Sequence, residues 1–214
     1  MVIYRRIELP YKLEGLEPII SSQTMYYHYE VLHKNYEIKL NEVLRGTGIE
    51  QQYSSLEELM KNVEQLPWEI QANIRFFGGG LINHNFFFAH LSKTDLKDER
   101  KINPSLLSLI REKFSNLENL KEELIKSALQ IRGSGWTWLV LDESDQLKVI
   151  NTANQDSPWS LNLRPLIAID VWEHAYFLDY GTNRKEYVEK LLKHLLNWDY
   201  ISKVYNLRNN LGIK

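Results

Sequence analysis

The sequence predicts an α+β fold: an N-terminal long helical hairpin followed by an α/β domain with a three-stranded antiparallel sheet. Two long helical segments, at 23–44 and about 67–91, dominate the first half of the 214 residues. Three short apolar segments in the second half have the composition of strands. A polar stretch at 93–104 separates the halves and is most simply a solvated linker. We therefore predict an N-terminal helical hairpin domain over 1–92 and a C-terminal α/β domain over 93–214.

The composition is that of an ordinary globular protein that is long enough to bury a core. Apolar residues make up 43% and charged residues 25%, and the formal net charge of -2 gives no basic footprint for nucleic acid. The sequence has no cysteine, which excludes disulfides, thiolate metal sites and cysteine nucleophiles. No apolar run reaches the roughly 18 residues of a membrane span. The stretch from Met1 to Arg6 has no signal-peptide pattern.

The N-terminal half begins with an irregular arm at 7–18, which two prolines and a glycine interrupt. Ser21 or Ser22 can cap the helix that follows, because a serine hydroxyl accepts a hydrogen bond from the first helical turn. Apolar residues then recur at helical spacing, and the glycines within 46–48 end this helix. A short amphipathic helix is expected at 54–66, opened by a serine.

The helix that Pro67 starts contains three consecutive glycines, Gly78 to Gly80. Each glycine costs about 1 kcal/mol in a helix relative to alanine. Two interpretations are open: the segment is a loop, or it is a helix in which glycine leaves room for a bulky group. Aromatic residues follow at 86–88, either as plain core or as the wall of a site.

The C-terminal half is expected to alternate between helices and strands. Helices are predicted at 105–114 and 117–131, and again from Arg184 to Trp198, with a last short helix that ends near Leu207. The three predicted strands are Trp136 to Leu141, Leu147 to Thr152 and Leu166 to Ile169. The first two are joined by a turn at 142–146, so they form a hairpin.

Asp170 lies directly after the third predicted strand, and His174 follows four residues later. The first supplies a carboxylate and the second an imidazole. Burying such groups is costly unless they pair or bind a cation. Oxygen and nitrogen ligands suit manganese, iron or zinc. A salt-bridged pair and a surface turn are the alternatives, and spacing alone does not decide among the three.

The surroundings of this pair resemble a known family. Residues 170–177, DVWEHAYF, are similar to the D-x-W-E-H-A-[YF]-[YF] signature of iron/manganese superoxide dismutases. The family's other motifs appear upstream in the same order, as LPY…LEP in the arm, TMYYH at 24–28, GGxxNH at 79–84 and TANQDSP at 152–158. The resemblance thus covers nearly the whole chain. It implies four metal ligands: His28, His84, Asp170 and His174.

The resemblance also implies the roles of neighbouring residues. Tyr36 matches the active-site tyrosine, and Gln155 matches a glutamine that hydrogen-bonds the metal-bound solvent. His33 matches a further active-site histidine that is not a ligand. Trp136, Trp138 and Trp172 match aromatic positions that line the pocket. The implied reaction converts two superoxide ions and two protons to dioxygen and hydrogen peroxide, which requires a metal that cycles between two oxidation states.

The resemblance favours manganese, with iron as the alternative. Iron-type relatives usually carry the solvent-contacting glutamine at the position of Gly80. Manganese-type relatives have glycine there and the glutamine on the later loop, as Gly80 and Gln155 are arranged here.

The sequence departs from the family near the entrance of the substrate funnel. Leu32 replaces a histidine, and Phe177 replaces the tyrosine that bonds this histidine across the dimer interface. Tyr29 and Leu81 also replace common family histidines. Glu173 is retained, and in the family it bonds the ligand that is here His174 in the partner subunit. We therefore expect a homodimer or tetramer built through Glu173 and His174.

Two other functions are weighed against the enzyme. The first is a structural subunit with the dismutase fold in a larger mitochondrial assembly, which the altered funnel favours and the intact ligands oppose. The second is a non-redox metal hydrolase, which the sequence disfavours because no further carboxylate is positioned as a base. The expected location is the mitochondrial matrix, with the bacterial cytoplasm as the alternative.

Overall fold

The computed structural model describes residues 4–93 and 101–207. Most of the linker predicted at 93–104 lies outside these residues, so the boundary between a domain at 1–92 and one at 93–214 stays a prediction. The predicted fold class is confirmed: helices form the N-terminal half, and a three-stranded antiparallel sheet with helices forms the C-terminal half. No helix in the described ranges is long and apolar enough to cross a membrane.

The N-terminal half is a helical hairpin in which α2 packs along α4. Its helices are α1 (Ser22–Met25), a π-helical stretch (Tyr26–His33), α2 (Lys34–Leu44), α3 (Leu56–Lys61) and α4 (Trp68–Ala89). The chain is thus helical across the predicted segment at 23–44, but the sequence pattern did not anticipate the wider π turns. Such turns are rare and are found frequently at functional sites.

Two features of this half refine the sequence interpretation. The predicted helix at 54–66 was too long, because α3 ends at Lys61 and a separate 3-10 turn (Val63–Gln65) follows. Ser55 caps α3, and its Oγ accepts a hydrogen bond from the backbone N–H of Glu58 at 3.1 Å. The segment with three glycines is helical throughout, which rules out the loop interpretation.

The C-terminal half contains five helices and three strands within the described residues. They are α5 (Pro104–Phe114), α6 (Leu117–Gln130), β1 (Gly135–Leu141), β2 (Leu147–Ala153), β3 (Arg164–Asp170), α7 (Phe177–Tyr180), α8 (Arg184–His194) and α9 (Trp198–Asn206). The prediction of one helix from Arg184 to Trp198 was wrong. Helix α8 ends at His194, and α9 begins separately because Asn197 caps it. The backbone N–H of Asn197 also donates to the carbonyl oxygen of His90 at 2.9 Å.

The strand order β2-β1-β3 places β1 in the centre, with antiparallel pairing on both sides. Every residue of β1 is buried, whereas several residues of β2 are exposed. Helix α6 packs against β1 and β2, whereas α4 and α9 pack against β3. The register sets Trp136 opposite Asp170, at the end of the sheet where the candidate site lies.

His90 fastens the end of α4 to β3. Its side chain is fully buried, and both ring nitrogens have partners: Nδ1 donates to the carbonyl oxygen of Phe86 at 3.0 Å, and Nε2 accepts from the backbone N–H of Ala168 at 3.4 Å. His90 is therefore a hydrogen-bonded core histidine with no free nitrogen for a metal.

His90 should make the stability of the protein depend on pH. Burial lowers the pKa of His90 to about 4, against about 6.5 for an exposed imidazole. Below pH 6.5 the unfolded chain therefore binds a proton that the folded protein does not, so stability falls as pH falls. From pH 7 to pH 5, His90 should cost about 2 kcal/mol of unfolding free energy.

Urea unfolding at both pH values would check this. Between pH 7 and pH 5, the free energy of unfolding of His90→Gln should fall by about 2 kcal/mol less than that of the wild type. If the free energy of unfolding fell equally in the wild type and in His90→Gln, the lowered pKa of His90 would be contradicted.

Candidate metal centre

Four separate elements bring the predicted ligands together. His28 lies in the π-helical stretch, His84 on α4, and Asp170 is the last residue of β3. His174 lies in a 3-10 turn (Glu173–Ala175) that follows β3. Two of the side chains come from the helical hairpin and two from the C-terminal half, so the site closes only when both halves have packed.

The ligand atoms of these four residues all lie within 4.8 Å of one another. Oδ2 of Asp170 is 3.1 Å from Nε2 of His28, 3.2 Å from Nε2 of His174 and 3.5 Å from Nε2 of His84. Asp170 and His84 are fully buried and His28 is 1% exposed, whereas the His174 side chain is 17% exposed. Access from solvent is therefore on the His174 side.

The environment keeps the two buried imidazoles neutral and the carboxylate charged. Burial lowers the pKa of His28 and His84. Burial alone would raise the pKa of Asp170, but the facing His174 and His28 outweigh it and hold that pKa below its usual value. Neutral imidazole nitrogens and an ionised carboxylate are the forms that bind a metal ion.

Hydrogen bonds orient these ligands toward a common point. Nδ1 of His84 donates to the carbonyl oxygen of Gly80 at 2.7 Å, which leaves the Nε2 lone pair free. The other oxygen of Asp170, Oδ1, accepts from the backbone N–H of Trp172 at 2.9 Å. Nε2 of His28 is buried without a hydrogen-bond partner of good geometry, as expected of an atom that faces an ion. The donor set of three imidazoles and one carboxylate thus fits a manganese, iron or zinc ion.

Aromatic rings surround the four ligands. The ring centroids of His28 and Phe88 are 4.9 Å apart, those of His84 and Trp136 are 5.0 Å apart, and Trp172 stacks on His174 at 5.4 Å. Such walls exclude water and strengthen the electrostatic interactions inside the site.

Tyr36 and Gln155 form a hydrogen-bonded chain beside the ligands. Nε2 of Gln155 donates to Oη of Tyr36 at 3.1 Å, and Oε1 of Gln155 accepts from Nε1 of Trp136 at 3.2 Å. Burial and the nearby Asp170 carboxylate raise the pKa of Tyr36 to about 12. Tyr36 therefore holds its proton at neutral pH.

Asn83 is a residue of the site that the sequence interpretation missed. It is fully buried, and its Nδ2 lies 3.2 Å from the backbone oxygen of Gln155, 3.4 Å from Oε1 of Gln155 and 3.4 Å from the backbone oxygen of Asp156. These contacts tie α4 to the turn after β2 and fix the amide orientation of Gln155. The sequence could have indicated this role, because Asn83 directly precedes His84 in the GGxxNH motif.

Three other predicted residues lie around the site with different geometries. His33 is fully buried and stacks on His84 with centroids 5.5 Å apart. Burial lowers the pKa of His33 to about 3, so its ring is neutral. Trp138 lies one layer farther out, stacked on Trp136, and Glu173 is exposed at the surface.

Gly79 and Gly80 allow two close approaches. A Cβ atom on Gly79 would lie 2.0 Å from the backbone oxygen of Gln155. A Cβ atom on Gly80 would lie 2.4 Å from Cδ1 of Tyr36, whose ring is only 7% exposed. Both contacts are too short for any other residue, so these glycines allow the Gln155 turn and the Tyr36 ring to reach α4.

Comparison with known families matches both parts of the chain. Residues 3–92 match the family model described as iron/manganese superoxide dismutases, alpha-hairpin domain. Residues 102–204 match the one described as iron/manganese superoxide dismutases, C-terminal domain.

Replacing His84 should remove both the metal and the stability that the metal adds. His84→Ala deletes one of the four donors, so bound manganese or iron should fall roughly tenfold or more. A chelator should lower the Tm of the wild type and leave that of His84→Ala unchanged, because metal binding contributes to folding only where the site is intact.

Elemental analysis and thermal unfolding on the same samples would check this. His90→Gln is the matched control, since His90 is also buried at the end of α4 but has no free nitrogen. That variant should keep its metal even if its Tm falls. Full metal occupancy in His84→Ala would refute the ligand assignment.

The glycine contacts predict a contrast between two neighbouring substitutions. Gly79→Ala pushes a methyl group against the Gln155 backbone and should cost about 3 kcal/mol. At Gly78 the nearest atom is Sδ of Met60, at 2.7 Å and at the end of a flexible side chain. Gly78→Ala should cost under about 1 kcal/mol, because helix propensity offsets the crowding. Urea denaturation measures the free energy of unfolding of both variants. An equal decrease in the two would contradict the close approach at Gly79.

Proposed function

The chain belongs to the iron/manganese superoxide dismutase family, and from this premise we propose that it is a superoxide dismutase. The reaction converts two superoxide ions and two protons into dioxygen and hydrogen peroxide. The observation that carries the proposal is the buried cluster of His28, His84, Asp170 and His174. When bound, a manganese or iron ion would supply the one-electron oxidation and the one-electron reduction that this reaction requires.

The residues of the site would have different roles. His28, His84, His174 and Asp170 would hold the ion, while Gly80 and Trp172 orient two of these ligands through backbone hydrogen bonds. In the single subunit, the partly exposed His174 leaves one side of the site open to solvent. The aromatic walls keep bulk water from the rest of the site.

Tyr36 is placed to deliver a proton. Its Oη accepts an N–H from Gln155, so its own O–H proton is free to point elsewhere. The high pKa of Tyr36 means that this proton is present at neutral pH. Peroxide formation consumes two protons, and a buried O–H beside the ligands is a short route for supplying them.

We further propose manganese as the metal, with iron as the alternative. The resemblance assigns iron-type sites a glutamine at the position of Gly80, and here a Cβ atom at that position would clash with the Tyr36 ring. Gln155 reaches the same region from the turn after β2. Both observations support the manganese-type arrangement.

The exposed surface next to the site supports a homodimer. Glu173 is exposed, and the apolar side chains of Phe177 and Leu178 are 49% and 55% exposed close to His174. We propose that a second subunit covers this surface. Leu32 and Phe177 would then supply an apolar contact where relatives have a polar one.

A structural subunit of a larger assembly is the second candidate, and the apolar residues Leu32 and Phe177 favour it. Two measurements on the same purified protein distinguish the two functions: elemental analysis for bound metal and an assay of superoxide removal. Near-stoichiometric manganese with fast dismutation supports the enzyme. Bound metal without activity supports the structural subunit. Absence of manganese and iron after reconstitution would overturn the site.

Tyr36→Phe should separate proton supply from metal binding. The variant keeps the ring that packs on α4 and loses the O–H group, so metal content should stay within experimental error of the wild type. The dismutation rate constant should fall about 10-fold to 100-fold, the usual effect of losing a group that supports a metal site. Pulse-radiolysis kinetics with elemental analysis would measure both. An unchanged rate would show that Tyr36 does not supply the proton.

A further inference from the structure

The side-chain amide of Gln155 has two possible orientations, because the oxygen and the NH2 group of an amide have nearly the same shape. In the structure, Oε1 accepts a hydrogen bond from Nε1 of Trp136 at 3.2 Å, and Nε2 donates to Oη of Tyr36 at 3.1 Å. Gln155 is 1% exposed, so bulk water does not compete for these contacts. The orientation of the amide therefore decides whether Tyr36 faces a donor or an acceptor.

Asn83 supplies a second donor on the Oε1 side of Gln155. Its Nδ2 lies 3.4 Å from Oε1 of Gln155, 3.2 Å from the backbone oxygen of Gln155 and 3.4 Å from the backbone oxygen of Asp156. The opposite orientation of the Asn83 amide would set an oxygen against these three oxygens, so its NH2 group is fixed on this side. The contacts with the two backbone oxygens hold the turn, and the contact with Oε1 favours one orientation of the Gln155 amide.

This arrangement leaves the other end of the Asn83 amide unsatisfied. Asn83 is fully buried, and its Oδ1 atom has no hydrogen-bond partner among the described residues. A buried acceptor without a partner lowers stability and requires an explanation. Asn41 on α2 provides a comparison: its Nδ2 also donates to two backbone oxygens, but its Oδ1 accepts from the backbone N–H of Tyr4 at 3.2 Å. Both ends of the Asn41 amide are thus satisfied, whereas Asn83 serves its neighbours with the donor end alone.

We propose that Asn83 is a positioning residue for the redox chemistry of the metal centre. Its Nδ2 holds the Gln155 amide with the NH2 group toward Tyr36, and this orientation sets the reduction potential of the bound metal. The inference rests on the proposed dismutase function, because a reduction potential matters only for a metal that changes oxidation state. The ring centroids of Tyr36 and His84 are 5.2 Å apart, so the oriented amide is one residue removed from a candidate ligand. Hydrogen bonds at this distance from a metal site tune its potential.

A double-mutant cycle on the metal-loaded, full-length protein tests this route. It compares the wild type, Asn83→Ala, Gln155→Ala and the double variant. The readout is the ratio of oxidised to reduced metal, measured by spectroelectrochemistry at the midpoint potential of the wild type. Asn83→Ala should change this ratio about threefold or more, the lower end of the coupling between residues in contact. In the Gln155→Ala background the same substitution should leave the ratio unchanged, because no amide remains to be oriented.

Asn41→Ala is the matched control, since it removes another amide of the helical hairpin that donates to two backbone oxygens. It should lower the Tm and leave the ratio unchanged. If Asn83→Ala does not fold, Asn83→Leu takes its place in the cycle, because leucine has a similar volume and no donor.

Two results would overturn the inference. An unchanged ratio in the Asn83 variant would show that Asn83 only fastens the turn. An equal change with and without the Gln155 side chain would show that Asn83 acts by another route. Absence of a redox-active metal in the reconstituted wild type is a different result, which would refute the proposed function and with it this inference.

Discussion

A charged carboxylate at the centre of the molecule is the constraint on which the rest of the structure depends. Asp170 is fully buried, and three imidazoles face its Oδ2 atom at 3.1 to 3.5 Å. A buried charge of this kind is stabilised only if its partners are complete and well oriented. Because His28 and His84 come from the helical hairpin and Asp170 and His174 from the other half, the two halves must pack together for the carboxylate to be satisfied.

The packing of α4 follows from this constraint. A helix that carries a ligand must approach both the sheet and the neighbouring helix closely, and three consecutive glycines provide the space. Gly79 and Gly80 admit the Gln155 turn and the Tyr36 ring, at a cost in helix propensity that Ala would avoid. Asn83 and His90, farther along α4, then fasten the helix to the C-terminal half through hydrogen bonds. Local helix stability is thus lower where the contacts of the site are densest.

Several buried polar atoms of the described residues have no hydrogen-bond partner of good geometry, and they do not share one explanation. Nε2 of His28 points into the cluster of candidate ligands, so the family's metal explains it. Both ring nitrogens of His33 are in the same condition, although His33 is not one of the four clustered residues. Burial alone therefore does not identify a ligand. The neighbours do, because three imidazoles and a carboxylate around one point select a metal ion.

The sequence predicted the fold class and most of the helices and strands, and its family resemblance implied four candidate metal ligands. Helical periodicity and strand composition are local properties, so the hairpin and the sheet were predicted correctly. The π-helical stretch, the break after His194 and the role of Asn83 were not, because each depends on contacts between distant segments. The chain has six histidines, and composition cannot separate a ligand from a core residue. Tertiary structure separates them by position: Nε2 of His84 lies beside Asp170, both nitrogens of His90 are hydrogen-bonded, and His33 stacks on His84 outside the cluster. Sequence spacing fixes which side chains share a helix face, but only the packing of helices against the sheet brings the candidate ligand atoms of four residues within 4.8 Å of one another.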